Sequence, residues 1–248
     1  MEKWQQTLRD LELGLVRSAN FIDGQWIANT EVKTDILAAF KAGHLAMMEG
    51  GFVDKHNLPA QTFSVERGVR VVPGGTSVRS GSYIAKGVII MPPSYINVGA
   101  FIDEGTMVDS HVLVGSCAQI GKKVHLSTAV QIGGVLEPVG MNPVVIEDEA
   151  FIGAGAVIVE GIIVKRRAVI APGVILSKGV PVYDLVNERE LAKGEPIPEN
   201  AIVVPGTRPV SNKHSFGTKL GLSLNCAIIV KYRDEKSETS LVLEDVLR

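Results

Sequence analysis

Asp109 is a carboxylate whose position in the sequence would allow it to remove a proton from a substrate. It directly follows Val108, one of a regular series of aliphatic residues that should point into a core. Its own side chain should therefore face outward, toward a groove, where a carboxylate can act as a general base. The competing interpretation is a solvated corner carboxylate, as we expect for Asp103 in the preceding repeat.

Histidine is the alternative base. His111 and His125 lie within the repeat, and we interpret both as ordinary corner residues rather than catalytic groups. Two or three histidines around a metal ion would instead indicate a β-helical carbonic anhydrase. The other histidines, His44, His56 and His214, lie outside the repeat, so no metal site is predicted.

Asp109, His111 and His125 belong to a repeat with a period of six. In "VGSCAQIGKKVHLSTAVQIGG" (114–134) an aliphatic residue returns at every sixth position, which matches neither the helical period of 3.6 nor the strand period of 2. The register slips by two residues at "EPVGMNPVV" and then resumes. Its members are Val72, Val78, Ile84, Ile90, Ile96, Ile102, Val108, Val114, Ile120, Leu126, Ile132, Ile146, Ile152, Ile158, Val164, Ile170 and Leu176.

A period of six predicts a coil of short strands. Each hexapeptide makes one flat side and one corner, so that three of them complete a triangular turn of about eighteen residues. The aliphatic residue points inward, and the small or slim residue four positions later fits the corner. A β-sandwich is the alternative, but its strands would alternate with a period of 2.

The N-terminal residues lack the repeat and read as helical. "MEKWQQTLRDLELGLV" is one helix candidate. "TDILAAFKAGHLAMMEGG" is a second, capped by Thr34 or Asp35 and closed by Gly50 and Gly51.

The C-terminal residues also differ from the coil. "YDLVNERELAKGEPIPEN" reads as a polar excursion, "AIVVPGTRPV" and "NCAIIVKY" as two strands, and "SLVLEDVLR" as a terminal helix. Such segments can cover the open ends of a coil against edge-to-edge growth.

Composition excludes several classes of protein. The net charge is -2 without a block of Lys or Arg, so nucleic acid is not an expected partner. No apolar run approaches the ~20 residues of a membrane span, and the polar start does not resemble a signal peptide. Cys117 and Cys226 lack zinc or disulfide spacing, so we expect a reduced, cytoplasmic protein.

The hexad resembles that of the left-handed parallel β-helix acyltransferases. The blocks "RVVPGGTSVRSGSYIA", "INVGAFIDEGTMVDS", "IGGVLEP" and "CAIIVK" are similar, in order and spacing, to the tetrahydrodipicolinate N-succinyltransferase family over about residues 66–232. The resemblance implies a mainly β fold. It comprises a small helical N-terminal domain (1–65), a left-handed parallel β-helix (66–182), and a C-terminal segment of loop, two strands and helix (183–248).

The resemblance also implies an activity. Succinyl-CoA would acylate the amino group of ring-opened tetrahydrodipicolinate, giving N-succinyl-2-amino-6-oxopimelate and CoA in diaminopimelate and lysine biosynthesis. Succinyl-CoA would be a co-substrate, with no permanently bound cofactor. The family's homotrimer would place active sites between neighbouring coils.

Five residues are expected near the acceptor. The resemblance makes Asp109 the catalytic and substrate-binding carboxylate and Arg70 the substrate-binding arginine, which can grip a carboxylate with two parallel bonds. Glu137 lies where the hexad breaks, and the resemblance places it in the cleft. Ser116 and Gly134 are expected neighbours that offer hydroxyl or backbone donors.

The CoA phosphates need positive charge on a chain that is slightly acidic overall. Arg208, Lys213 and Lys219 in "GTRPVSNKHSFGTKLG" could supply it, and an ordinary solvated loop is the alternative. One departure concerns Val157, which stands where the family carries a second acidic residue. Glu160 is not an obvious substitute, because the family has that residue as well.

Two other functions stay open. The first is a hexapeptide N-acyltransferase with another donor, such as acetyl-CoA, or another amino-acid-like acceptor. The second is a structural trimer that has lost catalysis, which the presence of Asp109, Arg70 and Glu137 argues against.

Overall fold

The computed structural model describes residues 1–233. Its first part contains two helices and two β-hairpins: α1 Lys3–Glu12, β1 Ala19–Ile22, β2 Gln25–Ala28, α2 Thr30–Ala42, β3 Leu45–Met47 and β4 Val53–Lys55. Single 3-10 turns lie at Glu49–Gly51 and Val65–Arg67. Helix α1 confirms the first helix candidate, whereas the two hairpins were not predicted.

The predicted start of the second helix, at Thr34 or Asp35, is wrong. Asn29 caps α2, and its side-chain oxygen accepts a hydrogen bond from Val32 N at 3.2 Å. Asparagine is among the best residues at this place, because its side chain satisfies an N–H group that the helix leaves unpaired. Asp35 lies inside α2, where it accepts a hydrogen bond from Thr7 Oγ1 at 2.8 Å and joins α2 to α1.

The predicted end of that helix, at Gly50 and Gly51, is also wrong. Helix α2 ends at Ala42, with Gly43 as its C-cap. Strand β3 then pairs with the antiparallel β4, and both predicted glycines lie in the turn between them with positive φ angles of 79° and 83°. Glycine adopts this conformation at little cost, so the pair turns a hairpin instead of ending a helix.

The repeat folds as a coil of two-residue strands. Their bounds are β5 Arg70–Val71, β6 Ser77–Val78, β7 Tyr83–Ile84, β8 Ile89–Ile90, β9 Tyr95–Ile96, β10 Phe101–Ile102, β11 Met107–Val108, β12 Leu113–Val114, β13 Gln119–Ile120, β14 His125–Leu126, β15 Gln131–Ile132, β16 Val145–Ile146, β17 Phe151–Ile152, β18 Val157–Ile158, β19 Ile163–Val164, β20 Val169–Ile170 and β21 Ile175–Leu176. Ile84, Ile102 and Ile120 stack as parallel partners eighteen residues apart, which confirms three hexads to a turn.

Stacked turns build the three faces of a left-handed parallel β-helix. The five-stranded sheet contains β7, β10, β13, β16 and β19, and the six-stranded sheet contains β6, β9, β12, β15, β18 and β21. The third face, formed by β5, β8, β11, β14, β17 and β20, is the start of a ten-stranded sheet. The inward aliphatic residues from Ile90 to Ile170 are fully buried, and they form one continuous core.

The first member of the repeat is Val71 rather than the predicted Val72. Val71 pairs with Ile90 and packs against the core. One extra residue therefore precedes Val78, in the turn that contains Gly74 and Gly75. A side chain at Gly74 would begin 2.7 Å from Pro92, so this tight turn requires glycine.

The slip of two residues in the register reflects an eight-residue insertion. Ile120 pairs with Ile146, a separation of 26 residues instead of 18, and 26 − 18 = 8. The added chain lies between β15 and β16, and we call residues 133–144 the insertion loop. Coil stacking continues unchanged on both sides of it.

The C-terminal strands extend the ten-stranded sheet beyond the coil. Their bounds are β22 Val182–Asp184, β23 Arg189–Glu190, β24 Ala201–Pro209 and β25 Ser223–Tyr232, with helix α3 Ser215–Lys219 between the last two. Strand β24 pairs with β20 and with the antiparallel β25, which confirms the two predicted strands. The predicted helix "SLVLEDVLR" lies outside the described residues. None of the helices within residues 1–233 is long and apolar enough to cross a membrane.

Candidate active site

Asp109 lies at the corner between the ten-stranded and six-stranded sheets. Its Oδ1 accepts a hydrogen bond from Ser110 N at 2.7 Å, and its Oδ2 accepts none within residues 1–233. The buried hydroxyl of Ser94 lies 2.9 Å from Asp109 O and holds the corner from inside. The half-buried carboxylate is thus fixed by one oxygen and has the other available for a proton.

Two residues further along the same corner lies His111. It is exposed, its φ is 63°, and its N–H donates to Pro93 O. With Tyr95, Leu113 and Gln131 it lines a shallow cavity of about 270 Å³ on the six-stranded face.

The prediction that His125 is a corner residue is wrong, because it lies in strand β14 and stacks on Phe151 of β17 with 4.8 Å between ring centroids. Stacking of this kind is a packing contact between neighbouring strands, which favours a structural role for His125 over a catalytic one. In the part of the chain that the structure describes, no three His, Cys, Asp or Glu side chains come together as a metal site.

Arg70 lies on the outer surface of the ten-stranded sheet, and Asp109 lies at the corner that follows strand β11 of that sheet. The Cα of Arg70 pairs with Ile89, which pairs with Met107, two residues before Asp109. Two strand spacings place the Arg70 and Met107 backbones about 10 Å apart. Arg70 is exposed, and no carboxylate of residues 1–233 pairs with its guanidinium, so it can receive an anion on the face that leads to Asp109.

Ser116 and Gly134 meet at the next corner, between the six-stranded and five-stranded sheets. A side chain on Gly134 would begin 2.7 Å from Ser116 N, and one on Gly115 would begin 2.2 Å from Gly134 N. The backbones of Ser116 and Gly134 therefore touch, and their place beside a bound acceptor stays a prediction. Neither of these two N–H groups donates a hydrogen bond within the described residues, so the corner presents a pair of free donors of the kind that stabilise an oxyanion.

Glu137 is exposed and has no polar partner among residues 1–233. It lies in the insertion loop, three residues after Gly134. Asp109 and Glu137 consequently lie beside opposite edges of the six-stranded face. One chain does not bring all the predicted acceptor residues together.

The N-terminal part fixes the insertion loop. Lys33 of α2 is fully buried, and its Nζ donates to Met141 O at 2.5 Å. Asn142 accepts from Ala28 N and donates to Trp26 O, at 2.7 Å each. Burial lowers the pKa of Lys33, and the nearby Cys117 opposes that change.

Sequence reasoning missed Lys33 and Asn142. The sequence held one sign that Lys33 is buried. It lies in a helix directly after Val32, which belongs to the apolar side of that helix. The partner of Lys33 is a main-chain carbonyl 108 residues away, and such a contact cannot be predicted from the types of the residues involved.

The three predicted CoA-binding residues are only partly brought together. Arg208 of β24 lines a cavity of about 330 Å³ at the last turn of the coil, together with Lys178 and Lys193. The buried Arg208 Nε has no hydrogen-bond partner among residues 1–233. Lys213 and Lys219 are exposed on the excursion that carries α3, and they do not line this cavity. The sequence did not predict that Lys178 and Lys193 line this cavity, because they lie in separate segments that only the fold brings together.

Val157 lies on the outer surface of the six-stranded face, paired with Gln131 and Ile175. It is half-buried and lies between the corners that carry Asp109 and Gly134. Glu160 accepts a hydrogen bond from Lys178 N at 2.8 Å. It is thus engaged at its own corner, as expected for a residue that does not replace the missing carboxylate.

Comparisons with known proteins identify the family. The chain is 42% identical over 254 residues to the 2,3,4,5-tetrahydropyridine-2,6-dicarboxylate N-succinyltransferase of Pectobacterium atrosepticum, covering 100% of this chain and 88% of the relative. It is 44% identical over 250 residues to the enzyme of the same name from Legionella pneumophila, covering 98% of this chain and 87% of the relative.

The chain belongs to the tetrahydrodipicolinate N-succinyltransferase family. Residues 143–178 also match the model of a hexapeptide repeat of succinyl-transferase. A Campylobacter jejuni crystal structure bearing the name of a 2,3,4,5-tetrahydropyridine-2-carboxylate N-succinyltransferase superposes with a TM-score of 0.58 at 16% identity, covering 91% of this chain and 62% of that chain. That likeness supports the fold, and the matches confirm the predicted family, β-helix and enzyme class.

Proposed function

We propose that this chain transfers the succinyl group of succinyl-CoA to the amino group of ring-opened tetrahydrodipicolinate. The products are N-succinyl-2-amino-6-oxopimelate and CoA, within diaminopimelate and lysine biosynthesis. The observation that carries the proposal is 42% identity across the whole chain to an enzyme of that name. The free Oδ2 of Asp109 supplies the base that this chemistry needs.

Asp109 acts on the acceptor amine. Its carboxylate removes a proton as the nitrogen attacks the thioester carbonyl, so that the amine does not accumulate positive charge. Arg70 holds a carboxylate of the acceptor with two parallel hydrogen bonds. Because Arg70 lies on the outer surface of the ten-stranded sheet and Asp109 at the corner beside it, the acceptor can span them in an extended form.

The thioester carbon passes through a tetrahedral intermediate. Its oxygen becomes an anion, which backbone N–H donors such as those of Ser116 and Gly134 can stabilise. Collapse expels the CoA thiolate, which takes up a proton, and the amide product remains. Glu137 lies close to these donors, and in this proposal it orients the acceptor.

The two halves of this machinery require two subunits. Within one chain, the six-stranded face separates Asp109 from the Ser116–Gly134 corner. We therefore place each active site between coils of a homotrimer, where Asp109 of one coil faces the insertion loop of the next. The mass should then be about three times 26.5 kDa. Light scattering tests this, and a stable, active monomer would contradict the shared site.

CoA completes the proposal as a co-substrate that leaves after each turnover. Arg208, Lys178 and Lys193 at the last turn of the coil offer charge to its phosphates. Lys213 and Lys219 are proposed to close over the bound molecule from the α3 excursion.

The deciding assay compares succinyl-CoA with acetyl-CoA on a tetrahydrodipicolinate-type acceptor, by release of the CoA thiol. We expect succinyl transfer by the wild type, with Val157 shaping the cleft. Turnover of acetyl-CoA alone would overturn the succinyl assignment. A silent wild type that gains activity as Val157→Glu would mark the natural chain as a coil that has lost catalysis.

A further inference from the structure

Arg17 presents a fixed guanidinium on the outer face of the five-stranded sheet. Its Cζ lies 3.7 Å from the ring centroid of Phe101 and 5.3 Å from that of Trp26. Its Nε donates to Gln119 Oε1 at 2.9 Å. Gln119 is itself fully buried, and its amide nitrogen lies 2.9 Å from Cys117 O. The Arg17 side chain is therefore held by its contacts with the two aromatic rings and by the hydrogen bond of its Nε.

The guanidinium of Arg17 lacks a direct partner for its charge in the described part of the chain. Within residues 1–233 it has no ion-pair partner, and its two terminal nitrogens donate no hydrogen bond. Burial lowers the pKa of Arg17, whereas the charges of Asp103 and Asp148 raise it. A partly desolvated cation without a paired anion is unusual, because burying a charge is costly unless it is paired.

Arg17, with its two unpaired terminal nitrogens, lines a cavity of about 320 Å³. Hairpin β1–β2 supplies Phe21 and Trp26 to its wall, and β16 supplies Val145. Trp26 is locked by a 2.9 Å hydrogen bond from its indole N–H to Glu147. This volume is at the small end of the range for ligand pockets.

Three carboxylates line the same cavity, and both oxygens of one of them, Glu147, are occupied by Trp26 Nε1 and Arg166 N. Asp103 and Asp148 each use Oδ1 to accept a backbone N–H, from Glu104 and Lys122 respectively, at 2.8 Å. Their Oδ2 atoms accept no hydrogen bond from the described residues. A second arginine, Arg166, also lines the cavity, but its guanidinium pairs with Glu149. The cavity thus combines one unpaired guanidinium, two available carboxylate oxygens and an aromatic wall.

We propose that this cavity binds a free α-amino acid. The ligand's carboxylate would bridge the terminal nitrogens of Arg17, its ammonium group would lie against Asp103 and Asp148, and its side chain would pack on Phe21 and Trp26. A simple anion would be repelled by the two aspartates, and a simple cation by Arg17, whereas a zwitterion satisfies both. The site is separate from the proposed acceptor site, because Asp109 lies at the corner between the other two sheets.

Isothermal titration of the full chain with each standard L-α-amino acid tests the proposal. We expect at least one to bind with one site per chain. L-alanine, propionate and ethylamine then serve as a matched series, in which loss of either charged group should weaken binding by roughly tenfold or more. An absence of binding by every amino acid would overturn the proposal.

Variants locate the bound ligand. Arg17→Met keeps the stacking on Phe101 and removes the charge, and it should abolish binding. Arg67→Met is the matched control, because Arg67 also lies over a ring, that of Phe63 at 4.4 Å, and also bonds a glutamine, Gln61. The control should bind as the wild type does.

Two further variants cover the other outcomes. If Arg17→Met does not fold, Asp148→Asn should still remove the preference for L-alanine over propionate, and an unchanged preference would contradict the site. Arg70→Gln should bind the ligand normally. Binding lost in Arg70→Gln but kept in Arg17→Met would place the ligand in the proposed acceptor site and overturn the inference, without bearing on the proposed function.

Discussion

Asp109 and Glu137 lie beside opposite edges of one face of the coil. Asp109 follows β11 in the ten-stranded sheet, and Glu137 follows β15 in the six-stranded sheet. The face between them is built from outward side chains such as Leu113 and Gln131, which pair directly. A reaction that uses both Asp109 and Glu137 therefore needs a second coil.

Mixing two inactive variants tests this relationship. Asp109→Asn and Glu137→Gln homotrimers should each be impaired. Trimers reassembled from an equal mixture should regain about one quarter of wild-type activity, because that fraction of interfaces joins an intact Asp109 to an intact Glu137. Activity is measured by CoA release after co-refolding. A mixture no more active than its parents would show that each site lies within one chain.

Asp109→Asn alone should lower kcat by at least ~10²-fold with little change in thermal stability. The substitution keeps the shape of the side chain, and its oxygen can still accept from Ser110 N, so only basicity is lost. Glu104→Gln is the control, since Glu104 is an exposed corner carboxylate of the neighbouring hexad. Near-normal activity of Asp109→Asn would direct attention to His111, which shares the corner.

Arg70→Lys should raise the KM for the acceptor by roughly tenfold, the cost of one charge-assisted hydrogen bond. The KM for succinyl-CoA should stay within about twofold, because the arginine lies at the first turn and the cavity lined by Arg208 at the last. Steady-state kinetics with each substrate varied in turn measures both. Arg67→Lys is the control. The opposite pattern of KM values would assign Arg70 to the donor.

The hexad allowed the coil to be predicted almost completely. Because the inward residue of each rung is a buried Val, Ile or Leu, the position that follows it, where Asp109 lies, could be placed outside the core. The prediction of the first inward residue was wrong because Val71 and Val72 are the same residue type. Only the extra residue at Gly74 and Gly75, seen in the pairing of Val71 with Ile90, decides between them.

The N-terminal part was predicted less well for a physical reason. Its strands are three or four residues long, and the exposed Leu45 and Met47 give no buried face to recognise. Contacts between distant segments, such as Lys33 with Met141 O, depend on how the helices dock on the coil. The proposal that the site is shared between two coils, by contrast, rests on the positions of Asp109 and Glu137 at opposite edges of one face.

Lys33→Met should loosen the insertion loop. It removes the donor to Met141 O and leaves a half-buried carbonyl unpaired, which should lower the free energy of unfolding by about 1–3 kcal/mol. Hydrogen exchange across residues 135–144 should become faster, and kcat should fall as Glu137 loses its position. Lys41→Met, at the exposed end of α2, is the control. Unchanged exchange in this segment would refute the role of Lys33.

Asp184 should make the C-terminal strands sensitive to acid. Burial raises the pKa of Asp184, but hydrogen bonds from Asn187 and Tyr232, at 2.8 and 2.7 Å, outweigh this and hold the pKa below its ordinary value. A carboxylate with a lowered folded pKa stabilises fully above its unfolded pKa of about 3.9 and loses that contribution as the pH falls through the folded value. Asp184 therefore favours the folded state at neutral pH.

Asp184→Asn should accordingly lower the free energy of unfolding by about 1–3 kcal/mol at pH 7, where the charged acceptor is lost. The difference from wild type should shrink as the pH falls from about 4 toward the lower folded pKa, since the unfolded carboxyl takes up its proton first and the folded one follows at lower pH. Urea unfolding followed by circular dichroism at a series of pH values measures both effects. Glu188→Gln, an exposed carboxylate between β22 and β23, should leave stability unchanged. A constant difference between Asp184→Asn and wild type across the acid range would show that the hydrogen bonds, and not the charge of Asp184, stabilise this end of the coil.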